Sequence, residues 1–473
     1  MKKLVMILIG LSMTTTVYPA AVVTPTSSSY LGGTNHDIGM GVSVDNQDCL
    51  YVLGITSSSD FPTTGAYQSS LIRSENQDVF ISKIGSTGST IVYSTYIGGS
   101  LADQGFDIEV DTDGCAYITG RTKSTNFPTI AAYQSTLSGN YDGFVVKLAT
   151  AGSSLTFSTY LGGESKDIPT GIALDDDEGV YITGITESFD FPTSGSYQSI
   201  IGGMTDIFFT KFTATGASLT YSTFIGGNSD DAAYGIDVVS ESGYIVGSTK
   251  SSNFPTVSSY QSTKSSTSTE YDALVIKVAS AGSSLTYSTY LGGSSSDSAR
   301  GVSVGTDSFA YVTGYTTSSN FPTSGGYQDS LSGTYDAFIT KVAVAGSTLT
   351  YSTYLGGTGN EISYGIDIDT TKRVYITGST TSSNFPTTES YQSSLGGTTD
   401  AFVSIFNSDG DSILQSTYLG GSGIDASMAI KIDSDGDAFI TGKTMSADFP
   451  TVASYQDSIG SSKAWDAFYT ILE

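Results

Sequence analysis

Cations, cysteine, histidine and tryptophan are all scarce in this sequence. Its 473 residues hold 19 Lys and Arg against 46 Asp and Glu, with two Cys, one His and one Trp. A formal charge of −27 excludes a nucleic-acid or anionic-lipid partner in the first instance, and it favours cations or neutral ligands. One histidine leaves zinc ligation and a Ser-His-Asp arrangement poorly supplied. No apolar run reaches the 18 residues of a membrane-spanning helix. The pieces "DTDG" (111–114) and "DSDGD" (433–437) lack the full alternating acids and distal Glu of an EF-hand loop, so they read as hairpin turns.

The first residues, "MKKLVMILIGLSMTTTVYPAA", carry Lys2 and Lys3, an apolar run from Leu4 to Met13 and a polar stretch ending in Ala20-Ala21. This is the layout of a secretory signal peptide over residues 1–20, with a short segment at 21–27 before the main unit. Its removal takes away Lys2 and Lys3 and no acid, leaving −29. The expected product is exported: secreted, periplasmic or on the cell surface, and monomeric.

What the chain does have is Gly (55), Tyr (31) and much Ser and Thr, the make-up of short strands joined by turns. It is also self-similar. Tyr/Phe-Leu/Ile-Gly-Gly starts at 30, 96, 160, 224, 290, 354 and 418, at intervals of 66, 64, 64, 66, 64 and 64. Asp/Asn-Phe-Pro-Thr occurs seven times, each followed by Tyr-Gln. In the fifth copy, four strands are expected: a at 301–304, b at 310–316, c at 336–343 and d at 349–356. Four antiparallel strands per unit without helices describe a propeller blade. The last copy lacks strand d, and a spare one, "SSSYLGG", lies at 27–33. The expected fold is therefore an all-β, seven-bladed β-propeller over residues 28–473, four strands per blade. The N-terminal strand d completes the C-terminal blade and removes two open edges.

The residues "DAFVxK…GSxLTYSTYLGG…YITGxTxSxNFPT…YQ" closely resemble the SBBP (bacterial β-propeller repeat) family across the expected mature chain. The resemblance implies a secreted or cell-surface bacterial propeller, and it brings no catalytic residue with it.

Several repeated positions invite a functional reading. An acid stands four residues after each Gly-Gly: Asp37, Asp103, Asp167, Asp231, Asp297, Glu361 and Asp425. Seven such acids could ring one channel mouth and hold Ca²⁺, which prefers oxygen ligands, or each could accept backbone N–H bonds in its own turn. A second acid opens strand c in every copy, and five copies place a Lys five residues later, read as a solvated edge residue. The Phe of Phe-Pro-Thr reads as packing between blades, with a sugar-binding Tyr-Gln ledge as the alternative. Cys49 and Cys115 occupy equivalent points on neighbouring blades and are a possible disulfide. The symmetry breakers are His36, Arg73, Arg121, Arg300, Arg373 and Trp465. The function expected is a non-catalytic binding scaffold for an extracellular protein or polysaccharide, in adhesion or at the envelope. The alternatives are a propeller-type polysaccharide lyase or hydrolase, with His36 beside Asp37 as a base, and a multivalent lectin.

Overall fold

The computed structural model describes residues 24–73, 76–461 and 463–473. The expected signal peptide falls outside them. The 28 strands of the described residues form seven separate four-stranded antiparallel sheets. In blade one they are a (Asp37–Val44), b (Leu50–Thr56), c (Asp78–Ile84) and d (Ile91–Ile97), hydrogen-bonded in that order. The inner strands a of blades two to seven are Asp103–Val110, Asp167–Leu174, Asp231–Val239, Asp297–Val304, Glu361–Ile368 and Asp425–Ile432.

The seventh sheet contains both ends of the chain. Pro25–Leu31 is its outer strand and pairs antiparallel with Asp466–Leu472, Ser28 facing Thr470 and Tyr30 facing Phe468. This strand keeps the environment of the other strands d: Tyr30 is fully buried, and its hydroxyl donates to the Ser446 carbonyl at 2.6 Å. Tyr96, Tyr160 and Tyr354 do the same to Ser58, Ser124 and Ser318 at 2.7 Å.

Alternating strand faces fill seven apolar clusters, one at each junction between blades. The Phe of each Phe-Pro-Thr is buried in one of them, and Phe61 sits 4.4 Å from Phe80 between ring centroids. The repeated aromatics are therefore the packing material of the ring.

Strand a differs from the expectation. In the fifth copy it begins at Asp297, four residues before 301, and it carries a β-bulge between Ala299 and Gly301. Every inner strand has this bulge at the same place. A bulge breaks the period-two pattern by which strands are read, so the first half of each strand a looks irregular in sequence. Opposite each bulge strand b has a Gly, because the backbone there comes too close for a side chain. A Cβ on Gly314 would lie 2.0 Å from the Ser298 carbonyl oxygen.

Candidate functional site at the channel mouth

The bulge decides what faces the channel. In each blade it leaves one residue of strand a unpaired: Met40, Phe106, Thr170, Tyr234, Arg300, Tyr364 and Met428. All seven line a cavity of about 220 Å³ at one end of the channel. This is the end where the d–a and b–c loops emerge, since strand a starts there. In a chain whose copies otherwise repeat closely, the mouth is apolar, aromatic or cationic by blade.

Arg300 is held by rings. Its guanidinium carbon lies 4.1 Å from the Tyr234 ring centroid and 5.5 Å from that of Tyr315, while its Nε is buried with no hydrogen-bond partner among the described residues. Around the mouth, at the strand-b position beside the inner strand, stand Arg121 and Lys443. Arg121 lies 4.9 Å from Tyr141 and 5.8 Å from Phe106, and its Nε donates to Gln104 Oε1 at 2.8 Å. Lys443 Nζ is 4.5 Å from the Trp465 ring, and burial pulls its ammonium below the ordinary lysine range.

Deeper in the channel the charge changes sign. Asp107, Glu109, Asp237 and Asp367 share the lumen with Lys431. Lys431 Nζ is 3.0 Å from Glu109 Oε1, and that carboxylate holds it above its usual range. Asp237 accepts the Val304 N–H at 2.7 Å and Asp367 the Ile432 N–H at 2.9 Å, each tying its inner strand to another blade's. Burial pushes Asp107 and Asp237 up to about 7.

The seven acids after Gly-Gly are not in the channel. Asp37, Asp103, Asp167, Asp231, Asp297, Glu361 and Asp425 are all fully buried, and each is the first residue of its strand a. Asp37 Oδ2 accepts the Gly33 N–H at 2.7 Å and the Ser58 hydroxyl at 2.8 Å, binding the d–a loop to the b–c loop. Asp103 and Asp167 repeat this with Gly99 and Ser124, and with Gly163 and Ser188. The expected mouth ring is corrected accordingly: starting strand a four residues earlier draws the acids inside, where donors meet them within each junction. Among the described residues no group of three or more His, Cys, Asp or Glu is placed to hold a metal ion.

The acid that opens strand c is buried beside the next blade's acid. A Cβ on Gly356 would be 2.6 Å from both Asp336 Oδ1 and Glu361 Oε2, so only Gly fits between the two carboxyls. Gln68 of Tyr-Gln serves the same junction, donating to Asp78 Oδ2 at 3.1 Å and accepting from Gly98 N–H. Its neighbour Tyr67 is exposed. The Tyr-Gln amide is thus occupied structurally, and the tyrosine stands at the outer rim.

Three further expectations are revised. The strand-c Lys is not a solvated edge residue, because strand d covers that side. Lys83 is 7% exposed and its Nζ lies 2.8 Å from Asp45 Oδ2, with Tyr51 O–H donating to the same oxygen. Lys211 pairs likewise with Asp175 at 2.9 Å. Where Ile405 replaces the Lys, Arg373 takes over Asp369, the acid that follows strand a. Cys49 and Cys115 are both free thiols; on blades that diverge outward, Cys115 Sγ lies 3.5 Å from Thr150 Oγ1 instead. His36 is exposed and spends its Nδ1 lone pair on the Trp465 N–H at 3.1 Å, latching blade one to blade seven.

Sequence reading had singled out Arg121, Arg300 and Trp465 but missed Met40, Phe106, Thr170, Tyr234, Tyr364 and Met428. Aligning the copies on the residue three after each strand-a acid shows a position that ranges over Met, Thr, Phe, Tyr and Arg, one of several variable positions in the repeat.

These features define a closed seven-bladed β-propeller. The SBBP profile, described as a beta-propeller repeat, matches residues 92–128, 156–192, 286–322 and 350–386. The repeat is thus found four times in the chain, each match running from strand d of one blade to the Phe-Pro of the next. No curated protein matches it. Similar solved structures include a protein of unknown function from Dyadobacter fermentans DSM 18053, at 11% identity and TM-score 0.43, covering 96% of this chain and 99% of that one. The WD40 β-propeller domain of Doa1 aligns at 12% identity and TM-score 0.49, over 95% and 97%. Quinohemoprotein alcohol dehydrogenase from Comamonas testosteroni aligns at 9% and 0.43, over 96% and 77%.

Proposed function

We propose that this chain is an exported, non-catalytic binding propeller of the cell surface or envelope. Its ligand, an extracellular polysaccharide or protein, seats on the channel mouth. One observation carries the reading: the bulged residue of strand a, which makes no ladder pair, changes its chemistry from blade to blade, and all seven such residues meet in one cavity. Repeated residues serve the ring, so the residues released from repetition are those free to serve a ligand. The layout of residues 1–20 supports export.

The test is capture of extracellular polymer and envelope material by the processed protein, compared with Phe106→Ala/Tyr234→Ala. The reading expects capture to fall at least about tenfold in the double variant, for two aromatic contacts near 1 kcal/mol each, with an unchanged melting temperature. Capture that survives there but is lost in Tyr67→Ala/Tyr133→Ala would replace the mouth with the outer rim, the lectin arrangement.

A further inference from the structure

The cations of this face are unusual for so acidic a protein, because among the described residues Arg121, Arg300 and Lys443 lack an acid, as does Lys123, which lies over Tyr141. Arg300 touches two tyrosine rings and leaves Nε unsatisfied; Arg121 is oriented by an amide; Lys443 is half-buried against Trp465. Elsewhere several cations find an acid, as in Lys83–Asp45, Lys211–Asp175 and Arg373–Asp369, while Lys277 and Lys341 lie over tyrosine rings. Three acids of this face are engaged: Glu187 with Lys166 at 3.4 Å, Asp230 with Lys250 at 3.2 Å and Glu270 with the Ser296 hydroxyl. A buried guanidinium N–H without an acceptor costs stability of the order of 1–3 kcal/mol, which a bound acceptor would recover.

We infer that the mouth recognises a carboxylated polysaccharide, with Arg121, Arg300 and Lys443 receiving uronate carboxylates and the rings beside them receiving sugar faces. This deepens the proposed function and rests on it. Each cation comes with its own aromatic surface: Arg121 with Tyr141 and Phe106, Arg300 with Tyr234, Lys443 with Trp465. A sugar acid offers the complement, a flat C–H face next to a planar carboxylate that a guanidinium can meet with two hydrogen bonds. The cations stand in blades two, five and seven, spread around the mouth, so they suit a chain of repeating charges better than one small anion. The acidic lumen below, with Asp107, Asp237 and Asp367, keeps a polyanion on the face and out of the channel.

Calorimetry on residues 21–473 with oligogalacturonate tests this, against a neutral cello-oligosaccharide and poly-glutamate. Oligogalacturonate is expected to bind, more weakly as salt rises, and the other two are not. Arg300→Gln and Lys443→Gln should each weaken it about five- to tenfold, for one charge-assisted contact, while Lys372→Gln on the opposite hairpins should not. The native salt dependence stands even if Arg300→Gln proves unstable. Equal binding of poly-glutamate, or no heat with oligogalacturonate, overturns the sugar-acid assignment. Neutral-glycan binding that is lost in Phe106→Ala/Tyr234→Ala would overturn it too, yet leave the mouth as the site. Oligogalacturonate binding untouched by any mouth substitution would sink both.

Discussion

At the scale of single residues, the buried carboxyl pairs make a pH prediction. Burial pushes Asp103 and Asp167 to about 6, and Asp78, Asp231, Asp297 and Asp466 to about 7, with the neighbouring acid adding to the rise at Asp78, Asp231, Asp297 and Asp466. An unfolded Asp titrates near 3.9. The folded state therefore holds these protons more tightly. Its extra stability is complete below about 4 and is lost as pH rises through 6 to 7. Asp45, Asp175 and Asp369 lie beside cations and shift down, so they act in the opposite sense and only below the ordinary carboxylate range. The melting temperature should be higher at pH 5 than at pH 8, and should stay so in 0.5 M salt, which screens surface repulsion far better than buried pairs. A flat profile, or one rising with pH, would refute the pairing. In sequence these acids were visible as repeated residues but not as pairs, because Asp78 and Asp103 meet only once two blades pack.

At the scale of the element, the inner hairpin explains the most regular residue in the repeat. Strand b carries a Gly in every copy, and a Cβ on Gly184 would lie 2.1 Å from the Ile168 carbonyl oxygen of the bulged strand. Gly314→Ala should destabilise the fold by about 2–3 kcal/mol through overpacking against backbone, measured by chemical denaturation. An unaffected midpoint would show that the bulge is absent in solution. The strands themselves were legible, since short β-branched and aromatic runs between turn residues left little else to form. The bulge was not legible, because the extra residue looks like a break in the pattern, and with it went six of the seven mouth residues. Lys83 was misread for a related reason. Its partner Asp45 directly follows strand a, with Tyr51 of strand b between them, a proximity that odd and even spacing within strand c does not reveal.

At the scale of the whole molecule, closure was readable from the offset of the two chain ends, and it sets everything else. Because Pro25–Leu31 completes the last sheet, the seven junctions are equivalent, the seven bulges point at one axis and the mouth exists as a single site. Ser28 and Thr470 face one another across that seam, with hydroxyl oxygens 3.0 Å apart. The Ser28 N–H points away, donating to Val452, which marks the pair as one of the close, non-hydrogen-bonded kind, with Cα atoms about 4.5 Å apart, within disulfide range. The decisive measurement is intact mass and melting temperature of Ser28→Cys/Thr470→Cys, made with Cys49 and Cys115 changed to Ser. A closed ring predicts spontaneous oxidation, a mass lower by two hydrogens and a melting temperature that falls when reductant is added. Two thiols that remain alkylatable in the folded protein would contradict it.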